Sequence, residues 1–130
     1  MSLTIGGTPN SPAPLESKAR ELGRLIGQSS EYQSLKRAND ALGSDRDAVT
    51  ILNRMSELRL QAQRMMERNE EPTPDMEREL DDLLGKVQVS PSYQRAVASQ
   101  ENFDKIMMQV NAWIAEGIKA GATSSIITLG

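Results

Sequence analysis

From Pro91 to about Lys119 the chain carries apolar side chains around most of a helix circumference. Placed at 100° per residue, Tyr93, Ala96, Val97, Phe103, Ile106, Met107, Met108, Val110, Trp113, Ile114 and Ile118 span more than roughly 200°. A helix packed on one side needs a much narrower stripe. This segment must therefore be the centre of a bundle or a seam shared with a second chain. Gln100 and Asn111 fall inside the arc. In a seam they would set register, and in a single bundle they would be ordinary hydrogen-bonding residues.

The rest of the sequence supplies helices to surround it. Leu15, Ala19, Leu22 and Ile26 recur on one helical face, with Gly27 as an exit. A second helix opens at Ser30, with Gln33 three residues on completing a capping-box pattern. Its apolar side is Tyr32, Leu35, Ala38 and Leu42, and Gly43-Ser44-Asp45 ends it and caps the next. A third helix spans about Arg46 to Asn69, roughly 36 Å. Its apolar arc of roughly 140° includes Ala48, Ile51, Leu52, Met55, Leu58, Ala62, Met65 and Met66, with Arg59 inside it. Glu70-Glu71-Pro72-Thr73 is a hinge; Thr73 caps a fourth helix with Pro74 in its first position. That helix carries Met76, Leu80, Leu83, Leu84 and Val87, with Glu77, Asp81 and Asp82 on its opposite face. The fifth opens at Ser90-Pro91.

These elements predict an all-α fold of about five helices, a helical bundle with two long helices that forms dimers. The expected organisation is a flexible N-terminal arm over 1–14, a single helical domain over 15–120, and a β-prone C-terminal tail over 121–130 ending in Ile126-Ile127-Thr128-Leu129. Two of the helix starts resemble each other, Ser30-Glu31-Tyr32-Gln33 and Ser90-Pro91-Ser92-Tyr93-Gln94. Duplication and two independent uses of common capping chemistry both account for this.

Composition narrows the function. The chain has no cysteine and no histidine, so the usual zinc ligands, thiolate nucleophiles and near-neutral proton carriers are missing. No glycine-rich phosphate loop follows a strand. The acidic run Asp75, Glu77, Glu79, Asp81, Asp82 lacks the glycine and alternation of a calcium loop and reads as acidic bias at a helix start. No catalytic, cofactor-binding or metal residue is expected, and the chain reads as a non-enzyme. The net charge of −3 gives no broad field for nucleic acid. Arg54, Arg64 and Arg68 are interleaved with Glu57 and Glu67, which marks a solvated face better than an RNA-binding stripe. No apolar run approaches the roughly 20 residues of a bilayer span, and the N-terminus lacks a signal core. Cytoplasmic residence is the expectation.

What remains is association. The candidate self-association or partner surface is Met65, Met66, Phe103, Ile106, Met107, Val110, Asn111, Trp113, Ile114 and Ile118. The paired methionines, Met65-Met66 and Met107-Met108, either fill the core or repack against varied partners. Expected partners are a second copy, as a dimer or higher oligomer, and other proteins; neither direct nucleic-acid contact nor a membrane is expected. The alternative function is an RNA-contacting accessory protein.

The pattern of helices and joints resembles the YlbF/YmcA family of small bacterial helical proteins, which includes YheA-like members. The carriers are Ala19-Arg20-Glu21-Leu22-Gly23-Arg24-Leu25-Ile26 with Ser29-Ser30-Glu31-Tyr32, the Asp45-Arg46-Asp47-Ala48 turn, and Ser90-Pro91-Ser92-Tyr93. The matching stretch runs from about Leu15 to Ile118. The resemblance implies an all-α, oligomeric, regulatory protein acting through protein–protein contacts. In characterised relatives that work involves ribonuclease Y-dependent RNA processing, competence, biofilm formation and sporulation. Cysteines that hold an iron–sulfur cluster in those relatives have no counterpart in this chain, so no cofactor is expected.

Overall fold

Every joint in the chain is closed by a short polar side chain at the point where the apolar period breaks. The structure, a computed structural model, describes residues 13–129. It consists of α1 (Ala13–Gly27), α2 (Ser30–Ser44), α3 (Arg46–Glu67), α4 (Pro74–Gln88) and α5 (Pro91–Leu129), with no strand among the described residues. The fold is all-α, as the periodicity predicts. The arm expected over 1–14 lies outside the described residues except for Ala13 and Pro14, which begin α1.

Two antiparallel helix pairs make the bundle. α2 lies along the first half of α5: the Tyr32 ring meets Phe103 edge-on at 5.6 Å, and the far end of α2 reaches the start of α5 at Ser92. α3 and α4 form the second pair. The buried core is small and aliphatic: Leu35, Ala38, Ala48, Met55, Leu58, Val87, Ala96 and Val110. α1 contributes no buried residue.

Between α3 and α4 the chain turns through Asn69, the one non-glycine residue with positive φ among those described (61°). Glu70 N–H donates to Met65 O at 2.8 Å and Asn69 N–H to Met66 O at 3.0 Å, so the last carbonyls of α3 are satisfied by a Schellman closure with asparagine in the left-handed position. Thr73 then caps α4, its hydroxyl accepting from Met76 N–H at 3.2 Å, with Pro74 in the first turn.

The α1–α2 and α4–α5 corners are built alike. Ser29 Oγ accepts from Tyr32 N–H at 3.2 Å while Gln33 Nε2 donates back to Gly27 O at 2.8 Å. Ser90 Oγ accepts from Tyr93 N–H at 3.5 Å while Gln94 Nε2 donates back to Gln88 O at 2.8 Å. The expected cap at Ser30 is thus one residue late. Ser29 keeps the extended backbone a cap needs (φ −66°, ψ 152°), and Ser30 is already helical. Gln33 serves the carbonyl end of α1 rather than a capping box.

Asp45 holds the two corners of the bundle together. It ends α2, with its N–H on Leu42 O, and caps α3, with Oδ1 accepting from Ala48 N–H at 3.2 Å. Its other oxygen accepts from Ser92 at 2.6 Å and Ser90 at 3.5 Å, across to the start of α5. The Ser92 hydroxyl and the Ala48 N–H hold this carboxyl below the ordinary carboxylate range, against a smaller opposing effect of desolvation. A depressed folded-state pKa contributes stability above the unfolded value, near 3.8, and loses it as pH falls through the lower folded value. Asp45→Asn is therefore expected to lower the melting temperature at neutral pH, with the gap to wild type narrowing below about pH 4. A gap of constant size from neutral to acid pH, read by circular dichroism, would show that the charge has no part in the joint.

The second departure from expectation is at the C-terminus. The last helix was expected to end near Lys119 with a β-prone tail, but α5 continues to Leu129. No proline interrupts this stretch, and no glycine in the described chain has positive φ. Ala120 and Ala122 favour helix, and Thr123 returns its hydroxyl to Lys119 O at 3.0 Å within the same helix. β-branched side chains beyond it lower helix propensity only slightly.

Candidate interaction surface

α5 is about 58 Å long and α2 about 22 Å. The supported part of α5 ends near Val110, which is 6% exposed. From Asn111 to Thr123 every residue is exposed. Trp113 (54%) and Ile114 (44%) stand side by side in this projecting half, with Ile118 (67%) about one turn further on. Large apolar side chains at i, i+1 and i+5 on an unsupported helix form a stripe without a cover in the single chain.

The ten candidate residues fall into three places. Phe103, Ile106, Met107 and Val110 lie along the part of α5 that α2 accompanies. Phe103 packs on Tyr32, Ile106 lines a shallow groove with Glu31 and Ser34, Met107 is half-buried and Val110 is buried. Asn111, Trp113, Ile114 and Ile118 lie on the projection, and Asn111 is exposed. Met65 and Met66 belong to the other helix pair, at the end of α3. Met65 is half-buried, and Met66 (65% exposed) lines an apolar groove of about 290 Å³ with Leu58, Ala62, Pro72, Met76 and Leu80. The single chain does not bring these into one surface. Gln100, placed in the apolar arc by spacing, bonds along its own helix to Asp104 at 2.9 Å.

Eight further large apolar residues among those described are exposed and were not among the candidates, Leu15 (77%), Leu25 (58%), Val89 (73%) and Met108 (71%) included. The signal for the first two was available. α1 has a clear apolar period and no second short helix that must cover it.

The charged face of α3 is partly neutralised: Arg54 and Arg68 are paired, and Arg64 makes no ion pair among the described residues. Arg54 forms a forked pair with Glu79 of α4, Nε to Oε2 at 2.6 Å and Nη2 to Oε1 at 2.9 Å, and also meets Glu57 at 3.2 Å. The guanidinium lowers the Glu79 pKa, and the two carboxylates hold Arg54 more firmly protonated. Sequence spacing gives the Glu57 pair but not Glu79, which comes from another helix. Arg68 pairs with Glu70 at 3.4 Å and Arg78 with Asp75 at 2.9 Å. Asp45 and Glu79 are both displaced toward the charged state, the direction of structural partners rather than of a proton donor. Among the described residues no group of three acidic side chains is placed to hold a metal ion, and no helix is long and apolar enough to cross a membrane.

Comparison with known proteins agrees with this architecture. A family model described as control of competence regulator ComK, YlbF/YmcA, matches residues 15–119. A UPF0342 protein of Limosilactobacillus reuteri is 26% identical over 101 residues, covering 78% of this chain and 82% of its own length. Another from Leuconostoc mesenteroides is 22% identical over 93 residues, covering 72% and 80%. Among solved structures, Bacillus subtilis RicA, crystallised in complex with RicF, superposes with a TM-score of 0.71 at 17% identity, over 85% of this chain and 97% of that one. A DUF964 protein of unknown function from Bacillus stearothermophilus superposes with a TM-score of 0.62 at 21% identity, over 82% and 93%. These two likenesses are of fold. Because the family model spans nearly the whole helical region, from the first turn of α1 into the projecting half of α5, the chain belongs to the YlbF/YmcA family.

Proposed function

We propose that the protein is a regulatory interaction protein without a reaction of its own, that it self-associates through the projecting half of α5, and that the assembly engages other proteins. One observation carries this: the exposed stripe of Trp113, Ile114 and Ile118 on a helix that outruns its support. Fully burying one such side chain contributes up to about 1.5–3 kcal/mol, and a two-fold contact buries the stripe of both copies, against an association cost of about 4–15 kcal/mol. Most helical stability in proteins comes from packing of an apolar face rather than from propensity, so covering the outer half of α5 stabilises it.

The family description and the RicA–RicF complex support protein partners. We place the work in competence control, linked to ribonuclease Y-dependent RNA processing as the family resemblance implies. A cytoplasmic location fits that work.

Trp113 is the only tryptophan, so its fluorescence reports on this surface alone. Emission is expected to be blue-shifted in the native protein and to move to the red in Ile118→Asp, with helicity retained. Spectra that both lie at the red position of a solvated indole would mean that Trp113 is as wet in solution as in the single chain, and spectra that both stay blue-shifted would mean that Ile118 is not in the contact; either way the reading would fail.

A further inference from the structure

The two halves of the chain correspond at a constant offset of 61 residues, the step from Tyr32 to Tyr93. α1 and α4 are both 15 residues long and start and stop in register. The corner residues Ser29, Tyr32 and Gln33 match Ser90, Tyr93 and Gln94 in identity and in hydrogen bonding. α2 and α3 together, Ser30 to Glu67, match α5 in length. The course differs at one point. The first half breaks at Asp45 and turns back, whereas its counterpart Ile106 lies inside an unbroken helix.

That difference decides what is covered. The apolar face of α4 is Met76, Leu80, Leu83 and Val87; at the same offset α1 carries Leu15, Ala19, Leu22 and Ile26. On α4 that face lies in the α3–α4 pair, its residues half-buried or, for Val87, at 0% exposure. On α1 it is open at Leu15 (77% exposed) and Ala19, half-buried at Leu22 and Ile26, and nowhere buried. The break at Asp45 is what lets α3 return onto α4. Without a break α5 runs straight on, and the segment that would cover α1 is carried past the bundle with its own apolar stripe open. The incompletely covered α1 and the exposed stretch Asn111 to Thr123 match in length, about 22 Å and about 20 Å. Their faces are not copies. Met55 and Leu58 of α3 correspond to Glu116 and Lys119, and the stripe of α5 lies on another side. The turn at Asp45 redirects α3, so the face it shows α4 is not fixed by this register.

We propose that the projecting half of α5 packs on the α1 face of a second copy, and reciprocally, so that two copies restore in trans the helix pair that α3 and α4 make within one chain. This rests on the self-association proposed above and adds which surfaces meet. It gives a closed two-fold contact in which each copy contributes both elements.

The chain has no cysteine, so single introduced thiols give unambiguous cross-links. Leu22→Cys and Ile114→Cys variants, carrying different tags, are co-expressed, captured through both tags and mildly oxidised. The expected product is a covalent dimer of one chain of each kind, at least about fivefold more abundant than the dimer formed by either variant alone; Ala19→Cys with Ile118→Cys repeats the test should the first pair perturb folding. Ile114→Cys linking to itself with equal yield would place α5 on α5, ending this pairing while self-association stands. A double variant that links only within one chain would place the contact in cis and also end it. The absence of any inter-chain link in a protein whose solution mass is a multiple of one chain would remove α1 from the seam. A native mass of one chain would defeat the underlying reading itself.

Discussion

Ile114→Asp is expected to reduce the solution mass of the protein to that of one chain, 14.3 kDa, with its helicity intact. Ile114 is 44% exposed in the single chain, on a stretch of α5 that no other helix covers. A carboxylate there is well hydrated in the monomer, so the fold loses nothing. In the assembly the same carboxylate is buried without a partner, at a cost of about 3–5 kcal/mol. That corresponds to a weakening of association by about 100- to 4,000-fold. Ile114→Ala, which removes methylenes without adding charge, is expected to weaken association less. If Ile114→Asp instead unfolds the protein at low concentration, where the wild type is already monomeric, Ile114 belongs to the fold and not to a seam.

Leu58→Ala is expected to lower folding stability by about 2–5 kcal/mol, the range for a large side chain lost from a packed interior. Leu58 is 3% exposed, on the α3 side that faces α4. The core has few large members, so no neighbouring cluster compensates. Met66, at the open end of the same groove and 65% exposed, is the control, and Met66→Ala is expected to stay within about 0.5 kcal/mol of wild type. Urea unfolding of the two variants checks the contrast. Equal effects would mean that the α3–α4 groove is filled in solution by something that buries Met66 as deeply as Leu58.

Much of the fold was legible in the sequence because each helix is punctuated by its own chemistry. Thr73-Pro74, Asp45 and Ser90-Pro91 mark starts that the structure keeps, and the apolar periods of α3 and α4 place Met55, Leu58 and Val87 inside. Where two serines stand side by side, composition could not choose the cap, and Ser29 rather than Ser30 takes it. The end of α5 was missed because β-branched residues and glycines near a terminus read as a tail, while a helix needs only the absence of a proline and of a competing turn to continue. The candidate surface was half legible. The wide apolar circumference of α5 marks more apolar surface than the single chain covers, but periodicity cannot say where along it α2 stops. Phe103 and Val110 carry the same signal as Trp113 and Ile118, although the first two are covered within the chain and the last two are not. Contacts such as Arg54 with Glu79 and Asp45 with Ser92 join residues far apart in sequence, and no local spacing encodes them.

The central claim is that the open half of α5 is an assembly surface. Sedimentation equilibrium of the unmodified protein over a wide concentration range tests it most directly. The account predicts a mass that is a multiple of the 14.3 kDa chain at the upper concentrations, falling toward one chain only on dilution. A mass of one chain at every concentration would contradict it.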